Sequence, residues 1–178
     1  MFCTLICCMD GRFIHIINEY IRNNYKYNYV DTITDAGPVN KIVYEDYLKS
    51  VEDKVVLISV NKHKSDHIFI AGHSDCAGCP IDDETQKNYI IQASEKIHFN
   101  LPHEAVTGLF VYEDGKIEIL ADFKKINNDA LHLTIFQHFY NLAYIFQHNC
   151  KILFRDLDIL NEQVHAKLHI RFQTEFVL

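Results

Sequence analysis

Short apolar runs alternate with amphipathic segments along the first two thirds of the chain. Residues 3–8 form an apolar run of strand length, and residues 13–25 carry apolar side chains at the spacing of one helix face. A second strand is predicted at 29–34, where the run ends at the turn-favouring sequence DAGP. Strands that alternate with helices in this way indicate βαβ units and an α/β fold.

The same alternation continues through the middle of the chain. Apolar residues recur at three- and four-residue steps over 44–63, which predicts a long helix, and a third short strand follows at 67–72. A helix is predicted over 83–98 because an acidic residue followed three positions later by glutamine is typical of a helix N-terminus. The pattern over 106–120 predicts a hairpin that turns at an Asp-Gly pair.

The last third of the chain carries a different pattern. Residues 128–148 are apolar on most sides, which favours a helix in the core or at a contact between subunits. A further strand is predicted at 151–157. Strict alternation of apolar and polar residues over 164–173 predicts a half-exposed strand at the edge of the sheet.

The full pattern predicts one domain over 1–178. A chain of 178 residues without a linker or internal repeat has the size of a single compact domain. The expected fold is α/β, with a central, mostly parallel sheet in the order 2-1-3-4, flanking helices, a C-terminal helix and additional edge strands. The 17 basic and 24 acidic residues give a net charge of -7 without a long basic cluster, so nucleic acid is not an expected partner.

The cysteines are expected to be reduced thiols. Residues 1–8 are apolar but lack the basic segment and cleavage site of a signal peptide. No apolar run approaches the roughly 20 residues that span a bilayer, so we expect a cytoplasmic protein without a membrane partner. Thiols stay reduced in that compartment and are available as metal ligands or nucleophiles. The six cysteines are Cys3, Cys7, Cys8, Cys76, Cys79 and Cys150.

Chemically active side chains follow the first and third predicted strands. Cys8, Asp10 and Arg12 would share one face if the extended conformation continued just past the first strand. His73 and Cys76 follow the third strand, and the small residues between them let both side chains reach one point. In the order 2-1-3-4 the carboxyl ends of strands one and three meet where the strand order reverses, which is the usual ligand position in such sheets.

Together these residues have the composition of a zinc site. The thiols of Cys8 and Cys76 with the imidazole of His73 form a set of ligands that suits Zn²⁺. Three protein ligands leave a fourth position, which water or Asp10 could take. The other cysteines are expected to pack as small apolar residues or passive neighbours: Cys3, Cys7, Cys79 and Cys150.

Other interpretations of these residues remain open. Cys76 and Cys79 form a C-x-x-C pair after a strand, as in thioredoxin-like redox sites, but this interpretation leaves His73 unexplained. Asp10 and Arg12 could form only a structural ion pair. The residue between the two ligands of the second motif, Asp75, could serve only as a turn or cap residue.

The ordered pair of motifs resembles a known family. The spacing C-x-D-x-R followed by H-x-x-C resembles the zinc site of β-class carbonic anhydrases. The strings TLICCMDGR, DAGP, GHSDCAG and VTGLFVYEDGKIE are similar to a group of small bacterial carbonic-anhydrase-like proteins. The resemblance covers roughly 3–120, so the expected domain consists of a family-like core over 1–120 and a C-terminal extension over 121–178.

The resemblance implies a lyase that interconverts carbon dioxide and bicarbonate by means of zinc-bound hydroxide. It implies Cys8, His73 and Cys76 as zinc ligands and Asp10 with Arg12 as a pair beside the metal. Asp10 would orient the hydroxide while Arg12 holds Asp10 away from the metal. At mildly acidic pH Asp10 itself would become the fourth ligand of a closed state.

Two further functions and one assembly prediction accompany this interpretation. The same site could act on another small cumulated molecule such as carbonyl sulfide. It could also hold a non-catalytic zinc ion, closed by four protein ligands, for stability or sensing. The resemblance implies a homodimer or a dimer of dimers, and the apolar segment at 128–148 would offer surface for it.

Overall fold

A five-stranded sheet forms the centre of the structure. The computed structural model of the chain describes residues 1–44 and 47–126. The strands are β1 (Phe2–Cys8), β2 (Tyr29–Asp35), β3 (His67–His73), β4 (Ala105–Val111) and β5 (Ile117–Phe123). Their order in the sheet is β2-β1-β3-β4-β5. The first four strands are parallel and β5 is antiparallel to β4, so the predicted mostly parallel α/β sheet with the order 2-1-3-4 is confirmed.

Helices cover both faces of this sheet. They are α1 (Gly11–Tyr25), α2 (Pro38–Tyr44), α3 (Tyr47–Lys54), a π-helix (Val55–Val60) and α4 (Asp83–Asn100). Side chains of β1 alternate between the two faces: Leu5 packs in the cluster that includes α1, and Ile6 packs in the cluster that includes α2, α3 and α4. Burial of each such aliphatic side chain stabilises the fold by about 2 kcal/mol.

Two of the cysteines belong to the core, as predicted. Cys3 and Cys7 are buried on the α1 side of β1 beside Phe13 and Ile17. Burial raises the pKa of the Cys7 thiol to about 12, so this thiol is neutral at physiological pH. Both side chains therefore act as small apolar residues.

The predicted helix over 44–63 begins at the wrong residue and is not uniform. Helical structure already begins at Pro38, directly after the DAG sequence, and its last part is the π-helix Val55–Val60. Proline suits the first helical position because its fixed φ fits the helix and its missing N–H would have no partner there. DAGP therefore ends a strand and starts a helix, whereas the sequence interpretation used it only as a breaker.

Several predictions fall outside the described residues: the helix at 128–148 and the strands at 151–157 and 164–173. The prediction of a single domain over 1–178 depends on them and stays a prediction. Within 1–44 and 47–126, every helix is too short or too polar to cross a membrane.

Candidate metal centre

Three potential metal ligands converge at the carboxyl edge of the sheet. Cys8 ends β1, His73 ends β3 and Cys76 follows three residues later. Because β1 and β3 are parallel neighbours, their carboxyl ends lie side by side. The two sulfurs and one ring nitrogen of His73 all lie within 4.8 Å of one another, and all three residues are buried. We refer to these residues as the Cys-His-Cys cluster.

The geometry of the Cys-His-Cys cluster fits a tetrahedral metal ion. The sulfur atoms of Cys8 and Cys76 are 3.7 Å apart. Two thiolates at 2.3 Å from one tetrahedral zinc ion would be separated by about 3.8 Å. The cluster therefore has both the ligand types and the sulfur separation that zinc requires.

One ring nitrogen of His73 is buried without a hydrogen-bond partner among the described residues. Its Nδ1 lies 2.8 Å from the carbonyl oxygen of Ser74, and a carbonyl can only accept, so Nδ1 carries the proton. In the neutral ring Nε2 then has an unprotonated lone pair. Nε2 is buried and has no hydrogen-bond partner among the described residues. A metal ion bound there would satisfy this otherwise costly buried acceptor.

An aromatic ring holds the imidazole in place. Phe13, from the first turn of α1, stacks on His73 with ring centroids 4.2 Å apart and an interplanar angle of 20°. The guanidinium carbon of Arg12 lies 5.1 Å from the centroid of the same Phe13 ring. Phe13 thus links the histidine to the start of α1.

The thiol of Cys76 is not acidic by itself. Burial, followed by the neighbouring sulfur of Cys8, raises its pKa to about 11. A thiol must lose its proton to bind a metal ion. Metal binding at the Cys-His-Cys cluster would therefore release protons and tighten as the pH rises.

Asp10 and Arg12 lie beside the cluster as a paired carboxylate and guanidinium. Asp10 caps α1 and accepts the backbone N–H of Arg12 at 3.0 Å. The Arg12 Nη2 donates to Oδ2 of Asp10 at 2.7 Å, and Nε donates to both carboxylate oxygens at 3.1 Å. The hydrogen bonds from the Arg12 side chain, then the one from its backbone, lower the pKa of Asp10 to about 2.

This pairing does not arise in the way the sequence interpretation assumed. The extended conformation does not continue past Asp10, because α1 begins at Gly11. Strand alternation therefore cannot bring Arg12 to the face of Cys8. The two side chains meet because Asp10 is the N-cap of α1 and Arg12 is the second residue of this helix. The start of the helix therefore positions the ion pair.

A third cysteine lies next to the cluster. Cys79 is buried against Cys8 and Cys76, and its backbone N–H donates to the carbonyl of Cys76 at 3.0 Å. Burial raises the pKa of Cys79, while a hydrogen bond from the Gln86 side chain lowers it. Within the described residues Cys79 does not belong to the group whose ligand atoms lie within 4.8 Å.

A close backbone contact supports the loop that carries the cluster. Gly37, which follows β2 with φ of +56°, packs against Gly78. A Cβ on Gly78 would lie 2.4 Å from the backbone nitrogen of Gly37, so the contact admits no side chain there. Sequence reasoning missed this contact and the stack on His73, although both glycines stand in small-residue runs that signal close approach.

An open, acidic cleft of about 380 Å³ adjoins the cluster. Its lining consists of Ser74, Asp75, Asp83, Tyr112, Glu113 and Asp114. Ser74 donates from Oγ to Asp83 at 2.9 Å, which ties the residue after His73 to the first turn of α4. Four carboxylates in the lining disfavour anions in the cleft and leave neutral molecules unaffected.

The fold and the Cys-His-Cys cluster together define an α/β protein with a candidate metal centre at the carboxyl edge of a parallel sheet. The family described as "Putative carbonic anhydrase" matches residues 1–121. The chain belongs to this carbonic anhydrase family, as its resemblance to carbonic anhydrases predicts. Among curated proteins nothing matches the chain.

Solved structures with a similar chain course include carbonic anhydrases from two organisms. One is the β-carbonic anhydrase isoform I of Trichomonas vaginalis, with a TM-score of 0.46, 16% identity, and coverage of 68% of this chain and 83% of that chain. The other comes from the ascomycete Sordaria macrospora, whose two β-carbonic anhydrases are described as tetrameric. The Sordaria macrospora structure has a TM-score of 0.47 and 13% identity, and the match covers 68% of this chain and 82% of that chain.

Proposed function

We propose that this protein is a zinc-dependent carbonic anhydrase that catalyses the reversible hydration of carbon dioxide to bicarbonate. Membership of the carbonic anhydrase family supports the reaction. The observation that carries the proposal is the buried Cys-His-Cys cluster, in which the His73 Nε2 has no partner among the described residues. Cys8, His73 and Cys76 are the proposed zinc ligands.

A zinc ion in this position would act as a Lewis acid and lower the pKa of a water molecule from 15.7 toward ~7. Phe13 stacks on the His73 ring and the Ser74 carbonyl accepts the Nδ1 proton, so Nε2 is left free to bind a metal ion. The carboxylate of Asp10 remains ionised at neutral pH because Arg12 lowers its pKa to about 2. Asp10 can therefore accept a hydrogen bond from the nucleophile and orient its lone pair toward carbon dioxide.

Arg12 would determine whether Asp10 stays at the start of α1 or reaches a bound metal ion. Its side chain donates three hydrogen bonds to the Asp10 carboxylate, so Asp10 is held at the start of α1. Release from Arg12 would free Asp10 to become a fourth metal ligand and close the site. The pair would thus leave the fourth position of a bound metal ion to water.

A carbon dioxide hydration assay on the zinc-loaded full chain tests the proposal. Stopped-flow measurement with a pH indicator should show a rate well above that of buffer, and Cys8→Ser should abolish it together with zinc binding. Cys7→Ser is the matched control, because Cys7 precedes Cys8 but packs in the core. A zinc-loaded protein that hydrates carbon dioxide no faster than buffer would exclude the proposed reaction.

One observation supports a second candidate, a non-catalytic zinc protein. Cys79 is buried in the same small cluster as Cys8 and Cys76 and could become a fourth protein ligand. Three thiolates and one imidazole form a closed structural site. In that case Cys79→Ser would release zinc as readily as Cys76→Ser, and the zinc-loaded protein would be inactive.

Assembly and location complete the proposal. Membership of the family supports a homodimer or a dimer of dimers, and large apolar side chains lie exposed outside the centre, such as Phe99 at 85% and Leu57 at 58%. Light scattering at micromolar concentration should show an oligomer, and a pure monomer would contradict this part. A cytoplasmic location stays a prediction from the sequence.

A further inference from the structure

The residue between two proposed ligands, Asp75, makes an unexpected contact with Arg12. The Arg12 Nη1 donates to Oδ2 of Asp75 at 3.4 Å, and Nη2 donates to the Asp75 backbone carbonyl at 3.3 Å. Nε and Nη2 of the guanidinium donate to the Asp10 carboxylate, and Nη1 donates to the Asp75 carboxylate. Arg12 therefore joins α1 to the loop that carries His73 and Cys76.

Asp75 has an unusual backbone conformation. Its φ is 53°, in the left-handed region that residues other than glycine rarely adopt. Aspartate tolerates this conformation better than most side chains, because its short polar group can form local hydrogen bonds. A turn could use glycine or asparagine here equally well. The carboxylate adds an acceptor for the guanidinium.

We propose that Asp75 is a positioning residue that holds Arg12 in the orientation from which it restrains Asp10. Asp75 lies 71% exposed and does not touch the reacting groups; it acts through Arg12. With both ends of the guanidinium engaged, Arg12 has little freedom to leave Asp10. The catalytic consequence rests on the proposed function, whereas the hold on Arg12 is a property of the fold alone.

The magnitude of this effect is modest. An exposed ion pair contributes little to stability, and its loss changes an equilibrium by at most about fivefold. Loss of the carboxylate should therefore loosen Arg12 by about two- to fivefold without unfolding the protein. The backbone carbonyl of Asp75 keeps its own contact with Arg12 in any side-chain variant.

The direct test follows the Nε proton of Arg12 by NMR in the full, metal-free chain. Only four arginines are present in the sequence, and Arg12→Lys identifies the signal of Arg12. Asp75→Gly keeps the left-handed backbone and removes the carboxylate, so the exchange of this proton with water should become about two- to fivefold faster. Asp75→Asn keeps an acceptor oxygen and should have a smaller effect.

Glu113→Gln is the matched control. Glu113 lines the same acidic cleft, so this variant removes the same charge without a contact to Arg12. Unchanged exchange in Asp75→Gly, or an equal increase in Glu113→Gln, would overturn the positioning role. If the zinc-loaded wild type hydrates carbon dioxide, Asp75→Gly should lower that rate by a similar factor while zinc is retained. An inactive wild type refutes the proposed function and leaves the exchange result to decide on Asp75.

Discussion

At the scale of single residues, the candidate metal centre depends on groups outside the Cys-His-Cys cluster. Phe13 stacks on the His73 ring, and the Ser74 carbonyl fixes which nitrogen carries the proton. Such neighbours determine the ring orientation and the tautomer of a metal-binding histidine. We expect the three residues of the cluster to supply the ligand atoms, and these neighbours to fix their geometry.

Phe13→Leu tests this dependence. Leucine keeps an apolar side chain at this buried position but cannot stack on the imidazole. Removal of an outer neighbour typically weakens metal affinity by 10- to 100-fold, so the zinc dissociation constant should rise at least about tenfold. Competition with a chromophoric chelator measures this constant.

Phe69→Leu is the control for that measurement. Phe69 is buried in the same core cluster and stacks on another histidine, His67, with ring centroids 4.1 Å apart. It is remote from the Cys-His-Cys cluster, so zinc affinity should stay at the wild-type level. Equal losses of affinity in the two variants would mean that only general destabilisation is measured.

The convergence of Cys8, His73 and Cys76 could be predicted from the sequence because their spacing relative to strands is local information. Cys8 and His73 end apolar runs, and parallel neighbouring strands bring such ends together. The hydrogen bonds of Asp10 and Arg12 could not be predicted correctly, because they depend on where α1 begins. The stack of Phe13 depends on the angle at which that helix lies against the sheet.

At the scale of elements, the loop between β3 and α4 is held by backbone contact. Gly78 packs against Gly37, which lies two residues after the end of β2. The two backbones are so close that neither glycine can carry a side chain in this conformation. The loop that bears Cys76 is thereby fixed against the end of a second strand. Its position depends on packing as well as on the ligands.

Gly78→Ala should destabilise the protein. The new Cβ would lie 2.4 Å from the Gly37 nitrogen, so backbone must move, and overpacking of this kind costs about 1–3 kcal/mol. Urea unfolding of the metal-free protein measures the loss.

Gly11→Ala is the matched substitution, since a Cβ on Gly11 meets nothing within 4 Å. Alanine also favours helix at the start of α1, so the free energy of unfolding should stay constant or rise by up to about 1 kcal/mol. A Gly78→Ala variant as stable as Gly11→Ala would disprove the close contact.

The strand order and most element types could be predicted because burial on both faces gives β1 and β3 continuous apolar runs. The division of the predicted helix over 44–63 into separate helices could not be predicted. Its apolar spacing does not distinguish an α-helix from the π-helix Val55–Val60, and Pro38 can either break or begin a helix depending on the residues after it. Contacts between loops, such as Gly37 with Gly78, join residues too distant in sequence for local patterns to reveal.

At the scale of the whole described molecule, β3 carries a histidine at each end, and the two have different roles. His73 belongs to the Cys-His-Cys cluster at the carboxyl end. His67 begins the strand, roughly 20 Å away by strand geometry, and its Nε2 lies 2.8 Å from Thr107 Oγ1. The described fold therefore has a titratable buried group well separated from the candidate metal centre.

His67 should make stability depend on pH. Burial lowers its pKa from 6.5 to about 4, against the opposing effects of Asp122 and Asp66. The unfolded chain therefore binds the proton first as the pH falls. Stability from the neutral, buried ring is complete above about pH 6.5 and is lost progressively toward pH 4, by on the order of 3 kcal/mol.

Urea unfolding of the metal-free protein at several pH values measures this dependence. His67→Gln removes the titrating group, so the fall in stability between about pH 6.5 and pH 4 should become smaller than in the wild type. Parallel curves for the two proteins would show that other groups cause the fall.

X-ray absorption at the zinc edge of the zinc-loaded full chain tests the central claim most directly, because it reads the atoms around the metal ion. We predict two sulfur ligands at about 2.3 Å, one imidazole nitrogen at about 2.0–2.1 Å and one further light atom from water. Two sulfurs and one nitrogen match Cys8, Cys76 and His73 and leave a position for chemistry. Three sulfurs and one nitrogen would contradict this, because Cys79 would then close the site and the proposed catalytic centre would not exist.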